Sequence, residues 1–163
     1  MTSSSKHKVA ILLLLVFLLA GAGAGARAWF ARRASQPGSS PDAPIQLKFD
    51  VIGGWKFIEG KTPIPDQVQQ LNGKWVELRG FMLPINEIKK IRSFVVIQSL
   101  WGCCFGQTPE VNHVIVVTME PGKTVEFYPD PIRVIGQFAV GETREDGYLV
   151  SIYRLEGHKV LAD

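Results

Sequence analysis

Hydrophobic and polar residues alternate along much of the chain after residue 70, as they do in strands that bury one face of a sheet. In segment 74–81, Val76 and Leu78 belong to one face, and Glu77 and Arg79 belong to the other. The same alternation recurs in short segments bounded by glycine, proline or asparagine. The pattern predicts strands at 74–81, 93–100, 113–119, 123–128, 132–140 and 148–155.

One short helix is predicted ahead of the first of these strands, in segment 65–71. Pro65 suits the first position of a helix, Asp66 places a negative charge in the first turn, and Asn72 with Gly73 ends the helix. The chain is therefore expected to be mainly β, with one short N-terminal helix.

Five or six short strands with polar turns between them favour a small antiparallel barrel of the oligonucleotide/oligosaccharide-binding type, hereafter OB-like. Parallel strands need crossover connections of a dozen or more residues, usually helical, and no such helix is predicted between these strands. A β-sandwich is the alternative architecture for the same strands. The predicted fold class is thus mainly β, in the form of an OB-like antiparallel barrel.

The first 26 residues differ in composition from the rest of the chain. Basic residues precede an uninterrupted apolar run at 9–20 and a series of small residues that ends in Ala-Gly-Ala, the order found in secretory signal peptides. The stretch 9–26 also has 18 residues, the lower limit for spanning a bilayer as an uncleaved anchor. Segment 1–26 is therefore predicted to be a signal peptide or an N-terminal membrane anchor.

A linker and a single domain are predicted after this segment. Segment 27–44 has little to bury and is predicted to be a flexible linker. Segment 45–163 is long enough for one domain of ordinary size, which we predict to be the OB-like β domain. No cysteine lies directly after the apolar run, which excludes a lipoprotein anchor. The domain is expected outside the cytoplasm, either in the periplasm or attached to the inner membrane through segment 1–26.

The charge of the predicted domain argues against nucleic acid as a partner. The whole chain has a formal net charge of +3, but residues 45–163 hold 13 basic and 14 acidic side chains, a net charge of −1. Nucleic-acid binding needs a clustered positive surface that displaces counterions from phosphates. The basic surplus belongs to the N-terminal segment instead.

The only two cysteines, Cys103 and Cys104, are adjacent and lie in a predicted loop between two strands. Trp101 and Phe105 flank them with aromatic rings. Thiols of exported proteins tend to be oxidised unless a metal or a reductase holds them, and the only possible intramolecular bridge joins these two neighbours. These four residues are the candidates for a binding or redox site.

A metal site is one interpretation of this loop. Cys103, Cys104 and His113 offer two thiolates and an imidazole, which suit zinc or monovalent copper. Structural zinc sites usually separate their cysteines by two to four residues, so adjacent cysteines depart from that pattern. His113 also begins an apolar strand, where a histidine at the edge of the core is the simpler interpretation.

Three other interpretations of the cysteines stay open at this point. A bond between neighbouring residues closes a strained and reducible ring, which suits a redox switch or a stiff ligand loop. A thiol enzyme needs a base and an orienting group, and His113 with Asn112 or Glu110 would supply them. Both thiols also suit a role as small buried hydrophobic groups.

Three blocks of residues stand out together: Gly80-Phe81-Met82-x-Pro84, Cys103-Cys104-Phe105-Gly106-x-x-Pro109 and Pro131-Ile132-x-Val134-x-Gly136. With these blocks, segment 55–155 resembles the bacterial family called domain of unknown function 3299 (DUF3299). The resemblance implies an exported, OB-like β domain. Relatives tend to be encoded near ABC-type permeases of the lipoprotein-release or macrolide-export kind, which implies a transport or envelope partner. The family name implies no activity.

A non-enzymatic role is favoured, because no complete catalytic set is evident. We predict an exported binding or accessory module of an envelope or ABC-type transport system that uses the Cys103-Cys104 loop. The alternative is a periplasmic metal-binding or thiol redox protein centred on Cys103, Cys104 and His113, with zinc or copper as its metal.

Overall fold

The computed structural model of the chain describes residues 37–100 and 109–163, which all belong to the compact unit Pro37–Asp163. The predicted signal peptide or membrane anchor, segment 1–26, lies outside the described residues. Within the described residues, no helix is both long and apolar enough to cross a bilayer.

Over the described residues, the architecture is mainly β, as predicted, and consists of one six-stranded mixed sheet with few helical residues. The strands are β1 (Ile45–Leu47), β2 (Trp75–Pro84), β3 (Ser93–Ile97), β4 (Val114–Met119), β5 (Ile132–Glu145) and β6 (Tyr148–Ala162). The helices are α1 (Phe49–Gly53), α2 (Asp66–Gln69) and a single 3₁₀ turn at Val111–His113.

The strand order in the sheet is β1-β2-β3-β4-β6-β5, and β2 also pairs with β5. The prediction of an all-antiparallel arrangement is wrong, because β1 pairs with β2 in parallel and β4 pairs with β6 in parallel. Parallel pairs were not expected, because no helical crossover is predicted between these strands. Here the connection from β4 to β6 contains β5, which pairs with β2 and with the other edge of β6, so β6 returns parallel to β4 without a helix.

The β5–β6 hairpin is longer than predicted at both strands. The two strands pair from Ile132 opposite Ala162 to Glu145 opposite Tyr148. The two turn residues, Asp146 and Gly147, have positive φ angles of 50° and 86°. This is the backbone required by a two-residue hairpin turn, and Asp-Gly is a preferred sequence for it.

Two short elements differ from the predictions. The predicted strand at 123–128 is wrong, because the only pairing there is an isolated bridge between Val125 and Ile91. The strand β1 and the helix α1 were not predicted, since three and five residues give too little periodicity to recognise. The predicted helix at 65–71 is confirmed as α2, which begins at Asp66.

The core lies on the inward faces of the strands. The predicted inward positions of Val76 and Leu78 in β2 are confirmed, and both side chains are fully buried. In β5, the alternating residues Ile132, Val134 and Phe138 are also fully buried, whereas Val140 is only partly buried. Further fully buried side chains are Ile52, Val68, Phe94, Val96, Ile115, Val117, Ile152 and Tyr153.

The end of the predicted linker contacts the sheet. Of segment 27–44, the structure describes residues 37–44, where Gly38 N–H donates to the Ala43 carbonyl at 2.6 Å. Trp75 N–H, at the start of β2, donates to the Gly38 carbonyl at 3.0 Å. Gly38 has a φ angle of 78°, and an added Cβ would lie 2.6 Å from Ile45 Cδ1. The chain therefore enters the domain beside the first residue of β2.

Candidate functional site

The predicted cysteine loop connects β3 to β4. Trp101, Cys103, Cys104 and Phe105 lie outside the described residues, so the structure leaves their predicted roles as predictions. The strands at either end of the connection are described, and their terminal residues, Ile97 and Val114, are direct partners in the sheet. Both ends of the connection therefore meet at one end of the sheet, which we call the loop end.

Asn112 fixes the chain where it returns to β4. Its side chain is fully buried, and Nδ2 donates to the carbonyl oxygens of Gly53 at 3.2 Å and Trp55 at 2.7 Å. These two carbonyls belong to the C-terminal end of α1 and the residues after it. The Asn112 Oδ1 atom is buried and accepts no hydrogen bond from a described residue. A buried amide oxygen without a donor is costly, so this atom is a candidate acceptor.

The helix α1 is held in place by two side-chain hydrogen bonds to one of its carbonyl oxygens. Tyr153, in β6, donates its hydroxyl to the Ile52 carbonyl at 2.8 Å, and Trp55 Nε1 donates to the same oxygen at 2.6 Å. Burial disfavours the phenolate and raises the pKa of Tyr153 to about 12. Side chains from β6 and from the segment after α1 thus stabilise a helix too short to be stable alone.

His113 packs against α1. A Cβ atom added at Gly53 would lie 2.5 Å from His113 Cε1 and 2.6 Å from Nδ1, so the ring lies directly on the glycine. His113 is half-buried and ends the 3₁₀ turn, where its N–H donates to the Glu110 carbonyl at 2.8 Å. Its ring makes no hydrogen bond to a described residue.

The catalytic arrangement considered for a thiol enzyme is not assembled in the part of the chain that the structure describes. Neither Asn112 nor Glu110 forms a side-chain hydrogen bond with the His113 ring. The Asn112 amide group is already engaged with α1, and Glu110 is exposed. Residues 37–100 and 109–163 contain no group of three or more His, Cys, Asp or Glu side chains arranged to bind a metal.

A group of titratable side chains lies beyond the end of β4 that is opposite to the loop end. His158 Nδ1 lies 2.9 Å from Glu120 Oε1 and 3.2 Å from Lys123 Nζ, and Lys123 Nζ lies 2.8 Å from Glu120 Oε2. The hydrogen bond from Lys123 and then that from His158 lower the pKa of Glu120. This group was not predictable from the sequence, because the parallel pairing of β4 with β6 brings its members together.

Comparison with known families places these observations in context. Residues 57–162 match the family described as "Protein of unknown function (DUF3299)". The chain belongs to this family. The DUF3299 match begins after α1, so the helix that holds Asn112 and His113 precedes the matched region. No curated protein matches the chain.

A solved structure supports the same fold for this DUF3299 chain. It is the crystal structure of a DUF3299 family protein from Pseudomonas aeruginosa PAO1, with 21% sequence identity and a TM-score of 0.51. The alignment covers 72% of the present chain and 95% of the other. At this level of identity, the similarity concerns the fold alone.

Proposed function

We propose that this DUF3299 protein is a non-enzymatic accessory module of an envelope or ABC-type transport system, and that it binds its partner through the Cys103-Cys104 loop. In this proposal the chain is exported, and segment 1–26 either directs export or retains the domain at the inner membrane. The partner is a membrane component of the transport system.

The observation that carries the proposal is the rigid support of the loop end. Asn112 joins the returning chain to α1 through two hydrogen bonds, and the Tyr153 hydroxyl joins α1 to β6. A loop with fixed ends loses less conformational entropy when it binds, which favours recognition. The Asn112 Oδ1 atom, which accepts no hydrogen bond from a described residue, also supplies a buried acceptor where the chain returns to β4.

We further infer that the sheet is an OB-like barrel. The strand β2 pairs with β3 at residues 81–84 and with β5 at residues 75–80. The order β2-β3-β4-β6-β5 therefore leads back to β2, which supports closure of the sheet. A crystal structure of the full chain tests this inference, and an open gap between β2 and β5 would contradict it.

The binding role is tested by exchange of both thiols for hydroxyls. The full chain, with Cys103→Ser and Cys104→Ser, is compared with the unaltered protein for retention of ABC-type permease subunits from detergent-solubilised membranes of the source bacterium. We expect the unaltered protein to enrich a permease subunit and the double variant to lose most of that enrichment. Mass spectrometry identifies the retained proteins.

A matched control changes a distant surface position. Thr124→Ala removes a hydroxyl from an exposed residue that follows β4, at the opposite end of this strand from the loop end, and should retain the permease as well as the unaltered protein does. Circular dichroism establishes that both variants are folded. Equal enrichment by the double serine variant and the unaltered protein, or enrichment of no permease subunit, would exclude the proposed use of the loop.

A periplasmic metal-binding or thiol redox protein is the second candidate, favoured by the ring of His113. Packing on Gly53 fixes this ring, and its nitrogens are not engaged by a described residue. Cys103 and Cys104 would supply thiolates, and zinc or copper suits that donor set. Elemental analysis of protein purified from the periplasm, with a thiol count before and after mild reduction, tests it. Metal-free protein with two unreactive thiols would contradict it.

A further inference from the structure

A groove of about 740 Å³ lies on the outer surface of the sheet, away from the loop end. Its floor is the segment of β6 from Arg154 to Glu156, and its walls are the turn at Asn72 and Gly73 and the turn that follows β4. The volume lies within the range of about 300–1,000 Å³ that is typical of ligand sites. We call this feature the β6 groove.

The first wall of the β6 groove is fixed to β5 by hydrogen bonds. Gly73 N–H donates to the Phe138 carbonyl at 2.7 Å, and Gln137 Nε2 donates to the Gly73 carbonyl at 3.0 Å. Val140 N–H donates to Asn72 Oδ1 at 2.9 Å. The turn is therefore held in one position without a ligand, and little ordering is required for binding.

The opposite wall is also fixed, and its carboxylate is already neutralised. Glu120 N–H donates to the Gly157 carbonyl at 2.9 Å, which attaches the turn to β6. The Glu120 side chain is paired with Lys123 and His158. Glu120 therefore contributes little free negative charge to the groove.

The floor carries two opposite charges that are not paired. Arg154 and Glu156 are exposed, and the residues between and after them, Leu155 and Gly157, are buried. Neither charge takes part in an ion pair with a described residue. Because they are two residues apart in a strand, their Cα atoms are separated by roughly 6.6 Å along the floor.

Polar groups flank these charges. Thr118 in β4 and Gln137 in β5 lie directly opposite Glu156 in the two neighbouring strands. Arg92 lies at the edge of the groove and also forms no ion pair with a described residue. The floor thus presents a basic and an acidic side chain two residues apart on one strand, among polar and apolar lining residues.

We propose that the β6 groove binds an extended peptide segment of a partner protein that carries one acidic and one basic side chain two residues apart. Side chains on one face of an extended peptide repeat every two residues, about 6.6 Å, which matches the spacing of Arg154 and Glu156. The acidic side chain would pair with Arg154 and the basic one with Glu156. This surface lies away from the loop end and involves neither Cys103 nor Cys104, so the inference goes beyond the function proposed above.

Capped pentapeptides test the proposal by isothermal titration calorimetry against the full chain in nonionic detergent. We expect Gly-Asp-Gly-Lys-Gly to bind more tightly than Gly-Asp-Gly-Asp-Gly or Gly-Lys-Gly-Lys-Gly. The Arg154→Glu variant places two acidic side chains on the floor, so its preference should change to the peptide with two lysines. We expect each change in affinity to be about fivefold, as for an exposed ion pair of ~1 kcal/mol.

The control variant is Lys159→Glu, which makes the same change of charge at an exposed position of β6 that does not line the groove. It should keep the preference for the peptide with aspartate and lysine. The proposal is overturned if the unaltered protein binds none of the peptides, if it binds all three equally, or if the two variants behave alike. The double cysteine variant should bind the peptides normally, which separates this test from that of the loop.

Discussion

The Asn112 side chain joins the residues that lead into β4 to α1 and the segment after it. It is fully buried and donates both of its amide hydrogens to carbonyl oxygens near α1, 57 and 59 residues earlier in the chain. An aspartate at this position has nearly the same shape but no hydrogen to donate. The position therefore tests whether the hydrogen bonds, rather than the shape, hold the loop end.

We expect Asn112→Asp to lower the free energy of unfolding by about 3 kcal/mol, because a buried carboxylate would face two carbonyl oxygens. Urea unfolding at pH 7, followed by tryptophan fluorescence, measures this loss. The control is Asn86→Asp at an exposed position, where the change should be within about 0.5 kcal/mol. Equal stability of the two variants would show that Asn112 contributes through shape alone.

The buried Tyr153 hydroxyl should make the free energy of unfolding fall at alkaline pH. Its pKa is about 12 in the folded protein, against ~10 in an unfolded chain. The contribution is complete below pH 10 and is lost as the pH rises from about 10 to about 12, because the unfolded chain ionises first. Tyr153→Phe removes this contribution, together with a hydrogen bond worth about 1 kcal/mol.

Urea unfolding at pH 9 and pH 11 measures this effect. The difference in stability between the unaltered protein and Tyr153→Phe should shrink by roughly 1 kcal/mol over this interval. Tyr148→Phe, at a side chain that is 78% exposed, leaves the buried hydroxyl in place and should follow the unaltered protein. A constant difference between the unaltered protein and Tyr153→Phe would contradict the expected titration.

From the sequence, His113 was a candidate ligand or base and Asn112 a candidate orienting group for it. Nothing in the sequence singled out Tyr153 or Gly53, or the contact of Asn112 with α1. From sequence alone, a polar residue before an apolar strand can equally be an exposed turn residue or a buried side chain with distant hydrogen-bond partners. The contacts that define its role come from α1 and β6, which are distant in sequence. Pairings of this kind depend on tertiary structure, and local periodicity carries no information about them.

The turn of the β5–β6 hairpin is the element most strongly encoded in the local sequence. Gly147 has a φ angle of 86°, and an added Cβ would meet no atom within 4 Å, so only the backbone conformation restricts this position. We expect Gly147→Val to cost about 1–2 kcal/mol in urea unfolding. Gly147→Asn should cost much less, because asparagine tolerates the left-handed region. Equal costs would point to the added side chain rather than φ.

The strands were predictable to the extent that they alternate. Val76, Leu78, Ile132, Val134 and Phe138 follow the predicted inward pattern, because one face of each strand is buried. The parallel pairs were not predictable in this way. Alternation specifies which face of a strand is buried but gives no information about whether the neighbouring strand is parallel or antiparallel.

The domain as a whole depends on β5, which pairs with β6 on one side and with β2 on the other. In its first half, Ile132 and Val134 are fully buried, and their partners in β6 are Ala162 and Val160. The last residue, Asp163, adds ion pairs from the end of the chain to arginines of both β2 and β5. The last four residues therefore cover the edge of β5 beside part of the core.

Deletion of residues 160–163 tests this dependence. It exposes the edge of β5 beside two buried side chains, each worth about 1.5–3 kcal/mol when fully buried, so we expect a loss of about 3 kcal/mol or more in urea unfolding. Removal of Asp163 alone breaks surface ion pairs and the hydrogen bond from its N–H to the Pro131 carbonyl, and should cost only about 1 kcal/mol. If the two truncations were equally stable, pairing with β2 alone would hold the first half of β5. If both were strongly destabilising, the ion pairs of Asp163 would contribute more than exposed pairs usually do.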